Sequence, residues 1–224
     1  MTGSDLALDA IEAAERRPQC IIIAGPNGAG KTTTAMALAG DRHRVRRIVN
    51  PDVIAGGLSG TPELSAVEAG KIALRAQERY VGERLDFALE TTLSGRRWDR
   101  LLQRLDDARF QTTLYYLWLD TPELAAARVR TRVMKGGHGV SEDDVRRRYG
   151  AGLVNLLDVV SPRVEAWHVT NATTRLGAPL SYIAHGGRGL TPTIADRGAW
   201  DMLQRTAASY RRDHPSISNR SESL

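Results

Sequence analysis

The sequence holds a single cysteine among its 224 residues, so no disulfide can close within the chain. That excludes a disulfide-stapled secreted fold and sets the expectation of a reducing, cytoplasmic setting. Cys20 opens the apolar run Cys20-Ile21-Ile22-Ile23 and reads as a small buried hydrophobe. Aromatic residues are scarce at 5%, which argues against a stacking platform for single-stranded nucleic acid. No recognition helix or zinc-ligand spacing is visible either, so nucleic acid is not an expected partner. No apolar run approaches the roughly 20 residues that a membrane helix needs. Residues 1–17 carry Asp5, Asp9, Glu12 and Glu15, which is not the pattern of a signal peptide. No Asn-Lys-x-Asp segment of the guanine-reading kind occurs, which argues against a GTPase.

What is present is an ordinary globular composition, 42% hydrophobic and 25% charged, with a formal net charge of +5. A basic balance suits an acidic partner, and a phosphorylated small molecule is one such partner. The length allows one sizeable α/β core. A single domain over 1–210 is expected, followed by a polar, non-periodic tail over 211–224.

Apolar runs alternate with helical patterns along the chain. Strands are expected at 19–24, 47–50, 87–92 and 113–120, with weaker ones at 166–169 and 180–184. Helices are expected over 4–16, 31–39, 61–84, 96–109, from 121, over 141–160 and over 192–210. Thr-Pro-Glu-Leu occurs at 61–64 and again at 121–124, each time as a threonine N-cap with proline at the first helical position. This order predicts an α/β P-loop fold, with a central, mostly parallel sheet, helices on both faces and a helical lid.

Gly25-Pro26-Asn27-Gly28-Ala29-Gly30-Lys31-Thr32 matches G-x-x-x-x-G-K-[ST], between an expected strand and an expected helix. Polyphosphate needs a ring of inward backbone N–H groups, and glycines let the main chain curl that tightly. The loop then feeds a helix N-terminus. Residues 25–33, from Gly25 to Thr33, are therefore the expected ATP site. Lys31 would reach the β- and γ-phosphates, and the Thr32 hydroxyl would ligate Mg²⁺.

Phosphoryl transfer also needs a base and a group that neutralises developing charge. Asn50-Pro51-Asp52 follows the second strand, and Pro51 cannot continue a central strand. Asp52 is thus expected on a loop at the carboxyl edge of the sheet, as a base or as a turn or cap residue. Glu90 ends a buried strand, where a carboxylate needs a partner. It would orient an acceptor hydroxyl or form a structural ion pair.

Arg128, Arg130 and Arg132 share one expected helix, and Arg146, Arg147 and Arg148 the next. Gly136-Gly137-His138-Gly139 forms a hinge between them. Two arginine-bearing helices joined by glycines look like a lid over phosphates, spanning about 122–149. One or two arginines would reach the nucleotide, and the rest would pair with Glu142, Asp143 and Asp144. His138 is a lid contact or a turn residue. Asp120 ends the fourth strand and is read as the start of the Thr121 cap rather than as a metal ligand.

Taken together, these segments resemble the shorter branch of the zeta toxin family of P-loop kinases. The resemblance rests on 25–33, on Asn50-Pro51-Asp52-Val53-Ile54-Ala55 and on Phe87-Ala88-Leu89-Glu90-Thr91-Thr92-Leu93-Ser94-Gly95. It continues through Leu119-Asp120-Thr121-Pro122-Glu123-Leu124 and from Arg132 to Tyr149, and covers about 19–172. It implies an ATP-dependent kinase acting on a hydroxyl of a sugar nucleotide such as UDP-N-acetylglucosamine. An antitoxin protein is an implied partner. Asp52 would be the base, Glu90 and Thr92 would face the acceptor, and Arg132 would meet the γ-phosphate. Arg128 and Arg147 join the expected nucleotide contacts. The family's second lid arginine falls at the Gly136-Gly137-His138 turn, which leaves His138 or Arg147 to replace it. The late strand reads Thr170-Asn171 where the family often has Asp-Asn.

An ABC-type or nucleic-acid-linked ATPase is the alternative. Leu93-Ser94-Gly95 only faintly matches a signature loop, and Thr121 stands where a catalytic glutamate would follow Asp120.

Overall fold

The computed structural model describes residues 16–58, 61–137, 139–173 and 181–215. The helix expected over 4–16 falls almost wholly outside them, as do His138 and most of the expected tail. Among the described residues the strands are β1 (Gln19–Ala24), β2 (Ile48–Val49), β3 (Phe87–Thr91), β4 (Gln111–Trp118), β5 (Ala166–Asn171), β6 (Ser181–Gly186) and β7 (Thr193–Ile194). They form one sheet in the order β2-β3-β1-β4-β5-β6-β7. From β2 to β5 every pairing is parallel. β6 and β7 are added antiparallel. The reason is chain length: 172–180 is too short for the crossover that a parallel neighbour requires, about a dozen residues or more.

β1 lies inside the sheet, between β3 and β4. Cys20 to Ala24 are completely or almost completely buried, and the β-branched isoleucines suit a strand covered on both faces. Burial pushes the Cys20 thiol far above its usual range, as befits a core residue.

The helices are α1 (Lys31–Ala35), which continues as π-helical turns over Met36–Arg42, α2 (Pro51–Gly56), α3 (Pro62–Gly82) and α4 (Trp98–Asp107). They are followed by α5 (Pro122–Met134), α6 (Glu142–Asn155), continued in π form over Leu156–Val160, and α7 (Arg197–Asp213). Thr61 and Thr121 cap α3 and α5 as their repeated tetrad predicts, accepting from the Leu64 and Leu124 N–H groups.

Neighbouring residues of β4 show how the sheet is covered, since they point to opposite faces. The Tyr115 hydroxyl meets His43, just beyond α1, at 2.9 Å. Tyr116 faces α6, where a Cβ at Gly152 would lie 3.5 Å from its hydroxyl. α7 joins α6 on that second side by stacking Trp200 on Trp167 of β5, with ring centroids 5.8 Å apart.

Three local expectations are corrected. Asp52 lies in the first turn of α2, not on a loop, because the Asn50 side chain caps the Asp52 and Val53 N–H groups. The last helix is shifted to Arg197–Asp213 by its Asp196 cap, and β7 takes part of the stretch expected to be helical. The helix runs past 210 because Arg211 pairs with Asp158 at 2.7 Å. Among the described residues no helix is long and apolar enough to cross a membrane.

Candidate active site

β1 delivers the glycine-rich loop 25–30 to the carboxyl edge of the sheet, between β3 and β4. Ligands of open α/β sheets bind at such an edge. Two positions require glycine. Gly25 has φ 145°, and a Cβ there would lie 2.4 Å from the Leu117 carbonyl oxygen. Gly28 has φ 80°, and its Cβ would lie 2.8 Å from Cβ of Arg128. Gly30 caps α1 in the left-handed conformation. Within the loop, the Ala29 N–H donates to the Pro26 carbonyl at 3.2 Å. Asn27 is buried, and its Oδ1 has no hydrogen-bond partner among the described residues. Thr33 is exposed on α1.

Lys31 folds back over the loop and donates to the Pro26 carbonyl at 3.0 Å. It is only 8% exposed. Burial lowers its pKa to about 8, against the charges of Glu90 and Asp52, which favour the ammonium. The positive charges of Arg132 and Arg148 add to the lowering. A buried cation within the field of two further arginine charges matches a site that takes up a polyanion.

Glu90 joins the elements of this floor. Its Oε1 accepts from the Thr32 hydroxyl at 2.9 Å, and its Oε2 accepts from Asn50 Nδ2 at 2.6 Å. Both oxygens are held by neutral donors, so the structural ion pair offered as one reading of Glu90 is not formed among the described residues. Burial raises the Glu90 pKa, and Lys31 and the two hydrogen bonds oppose that rise. Asn50 is the residue that sequence reasoning passed over. It holds Glu90 with its amide nitrogen while its oxygen caps α2. Its place just before Pro51 at a helix start was the available signal. Asp52 is exposed beside this unit, and its charge acts on both Lys31 and Glu90.

The arginines divide between two faces. Arg130, Arg146 and Arg147 pair at the surface with Glu142, Glu123 and Asp144. Arg147, expected at the nucleotide, lies instead in a cleft of about 430 Å³ with Tyr149, Tyr210 and His214. Arg148 is the residue of that run whose charge reaches Lys31. Consecutive helical residues point about 100° apart, so a run of three arginines cannot share one target. Arg128 donates to the carbonyls of Ala172 at 2.8 Å, Thr173 at 2.9 Å and Gly28 at 3.4 Å, bracing the loop against the end of β5. Arg132 is exposed near the end of α5.

Beyond Glu90, the Thr92 hydroxyl lies 2.9 Å from that of Ser94. Asp120 does not cap α5. Thr121 does, and the Asp120 N–H donates to the Thr173 hydroxyl at 3.1 Å.

No family model matches this chain. An uncharacterised protein of Haemophilus influenzae is 30% identical over 135 residues, which make up 58% of this chain and 92% of that protein. Among solved structures, the AvrRxo1-ORF1:AvrRxo1-ORF2 complex with sulphate ions superposes with a TM-score of 0.67 at 16% identity. That match covers 87% of this chain and 66% of the other, so this chain spans about two thirds of its length. The same complex with ATP gives a TM-score of 0.64 at 16% identity, covering 89% and 66%. A structure of the PezAT chromosomal toxin-antitoxin system of Streptococcus pneumoniae gives 0.56 at 14% identity, covering 97% of each chain.

Proposed function

We propose that this chain, which belongs to the family of the Haemophilus influenzae protein and has the zeta-toxin-like P-loop fold, is an ATP-dependent small-molecule kinase that phosphorylates a hydroxyl group. One observation carries the reading. Lys31, Thr32, Asn50 and Glu90 form a compact polar unit at the carboxyl edge, and the exposed Asp52 carboxylate stands within its field. The acceptor hydroxyl oxygen attacks the γ-phosphorus, Asp52 takes its proton, and the bond to the β,γ-bridging oxygen breaks to release ADP.

Residues 25–33 hold the triphosphate through backbone N–H groups. Lys31 turns from the Pro26 carbonyl to the phosphates, and Arg132 and Arg148 offset the charge of the transferring group. The orphaned Asn27 oxygen and the inward-turned Lys31 support a ligand at this loop. Thr32 and Glu90 would hold a Mg²⁺ ion, which would supply positive charge against the phosphates. Glu90 keeps the Thr32 hydroxyl oriented and, with Thr92, borders the acceptor. A sugar nucleotide such as UDP-N-acetylglucosamine fits the basic balance of the chain, because its diphosphate is itself anionic. Arg128 braces the loop behind the nucleotide, and residues 122–149 act as the lid of one kinase domain over 1–210. An antitoxin protein is the proposed macromolecular partner in the cytoplasm, supported by the two-component AvrRxo1-ORF1:AvrRxo1-ORF2 assembly and by the PezAT toxin-antitoxin system among the structural neighbours.

The test is incubation with Mg-ATP and a panel of hydroxyl acceptors that includes UDP-N-acetylglucosamine, read by mass spectrometry. A phosphorylated acceptor that disappears in Lys31→Ala and Asp52→Asn supports the kinase. Turnover of ATP to ADP without a phosphorylated acceptor, unchanged in Asp52→Asn, would instead favour an ATPase.

A further inference from the structure

The segment after β3 departs from ordinary backbone geometry at one residue. Leu93 has φ 61°, a left-handed conformation that a leucine rarely adopts, and its side chain is fully buried. Such a residue persists only where its surroundings over-determine it. Here they do. The Leu93 N–H donates to the Thr91 hydroxyl at 3.0 Å. The buried Asn155 side chain donates from Nδ2 to the carbonyls of Leu93 at 2.6 Å and Gly95 at 2.9 Å. Gly152 packs so closely that a Cβ there would lie 2.6 Å from the Thr92 carbonyl oxygen.

Asn155 and Gly152 belong to α6, the helix that carries Arg148. The positions 148, 152 and 155 fall at i, i+4 and i+7, on one face of the helix. One end of this face carries Arg148, whose charge acts on Lys31, and the other grips the loop that follows Glu90. The intervening helix is rigidly seated. Every residue from Tyr149 to Asn155 is buried, and the Tyr149 hydroxyl donates to the Leu119 carbonyl at 2.6 Å. The helix changes to π form directly after Asn155, a feature that recurs at functional sites.

We propose that Asn155 is a positioning residue that clamps the loop 92–95 to α6, so that one rigid element sets both the phosphate-side arginine and the acceptor-side wall. The proposal rests on the kinase reading. It assigns Asn155 no contact with substrate. Nucleotide seated under Arg148 stabilises α6, and through Asn155 it stabilises the loop that borders the acceptor.

The test compares hydrogen exchange of the full chain with and without Mg²⁺ and a non-hydrolysable ATP analogue, alongside steady-state kinetics. In the wild type, nucleotide slows exchange in both 25–34 and 91–95. In Asn155→Ala, protection of 25–34 stays and that of 91–95 is lost. The acceptor KM rises about tenfold or more, while the ATP KM stays within about twofold. Gly152→Ala shifts the loop by pressure rather than by loss of a hydrogen bond. It gives the same split even if Asn155→Ala folds poorly. Unchanged protection of 91–95 in both variants, or parallel increases in the two KM values, would overturn the clamp. Absence of nucleotide protection over 25–34 in the wild type would overturn the nucleotide reading beneath it.

Discussion

The floor of the site and its arginine-bearing helices are built in opposite ways. In the floor, Asn27, Lys31, Asn50 and Glu90 are all buried, and the last three hold one another or the loop through hydrogen bonds of 2.6–3.0 Å. On the helices, Arg130, Arg146 and Arg147 stand in solvent and pair with single carboxylates. A buried polar network is expensive to leave unmade and therefore fixes geometry. Exposed ion pairs are worth about 0–1 kcal/mol and exchange freely. The floor is thus held in one arrangement, as the proposed transfer would require, while the surface arginines of the helices can change partners at little cost. Arg148 is intermediate, half-buried, and its charge acts on Lys31 in the floor.

Substitutions separate the two regions, and the largest effect falls on Asp52, the exposed carboxylate beside the floor. Asp52→Asn is expected to reduce acceptor phosphorylation by about 10²–10⁴-fold with little change in ATP binding, checked by kinetics and by nucleotide titration. Arg148→Ala should lower kcat by about 10–10³-fold, whereas Arg147→Ala should stay within about twofold. Equal losses in both would erase the distinction between the two faces of α6.

A smaller effect concerns stability. The folded protein releases the Lys31 proton near pH 8, while the unfolded chain keeps it until about 10.5. Over that window the unfolded state binds more protons, so stability of the ligand-free protein rises with pH. Lys31→Met removes a buried charge. It should stabilise the ligand-free protein by roughly 3 kcal/mol at pH 7, and the gain should fade as pH rises from about 8 to 10.5. Thermal melts at pH 7 and pH 10 check this sign. The smallest effect is on the helices, where Glu123→Gln, which breaks the pair with Arg146, should change stability by less than about 1 kcal/mol in the same melts.

The parts legible in the sequence are those fixed by local chemistry. Gly25 to Thr32 was readable because each glycine answers a backbone constraint, and Thr61 and Thr121 because a threonine-proline start has one physical meaning. Asn50 was harder, since its two roles depend on Glu90, which lies far away in sequence and meets it only when β2 and β3 pair. The choice among Arg146, Arg147 and Arg148 was not legible either. Helical periodicity separates their directions but does not say which direction faces the loop until α6 is docked on β4. The antiparallel edge followed from the short connection over 172–180, a length that was available and not used.

Quantitative ³¹P NMR of a single turnover of Mg-ATP, with a hydroxyl acceptor present in excess, tests the central claim most directly. The account predicts a new phosphomonoester resonance that grows as the γ-phosphate signal falls, and its loss in Asp52→Asn. Growth of inorganic phosphate alone, at the same rate in wild type and Asp52→Asn, would contradict it.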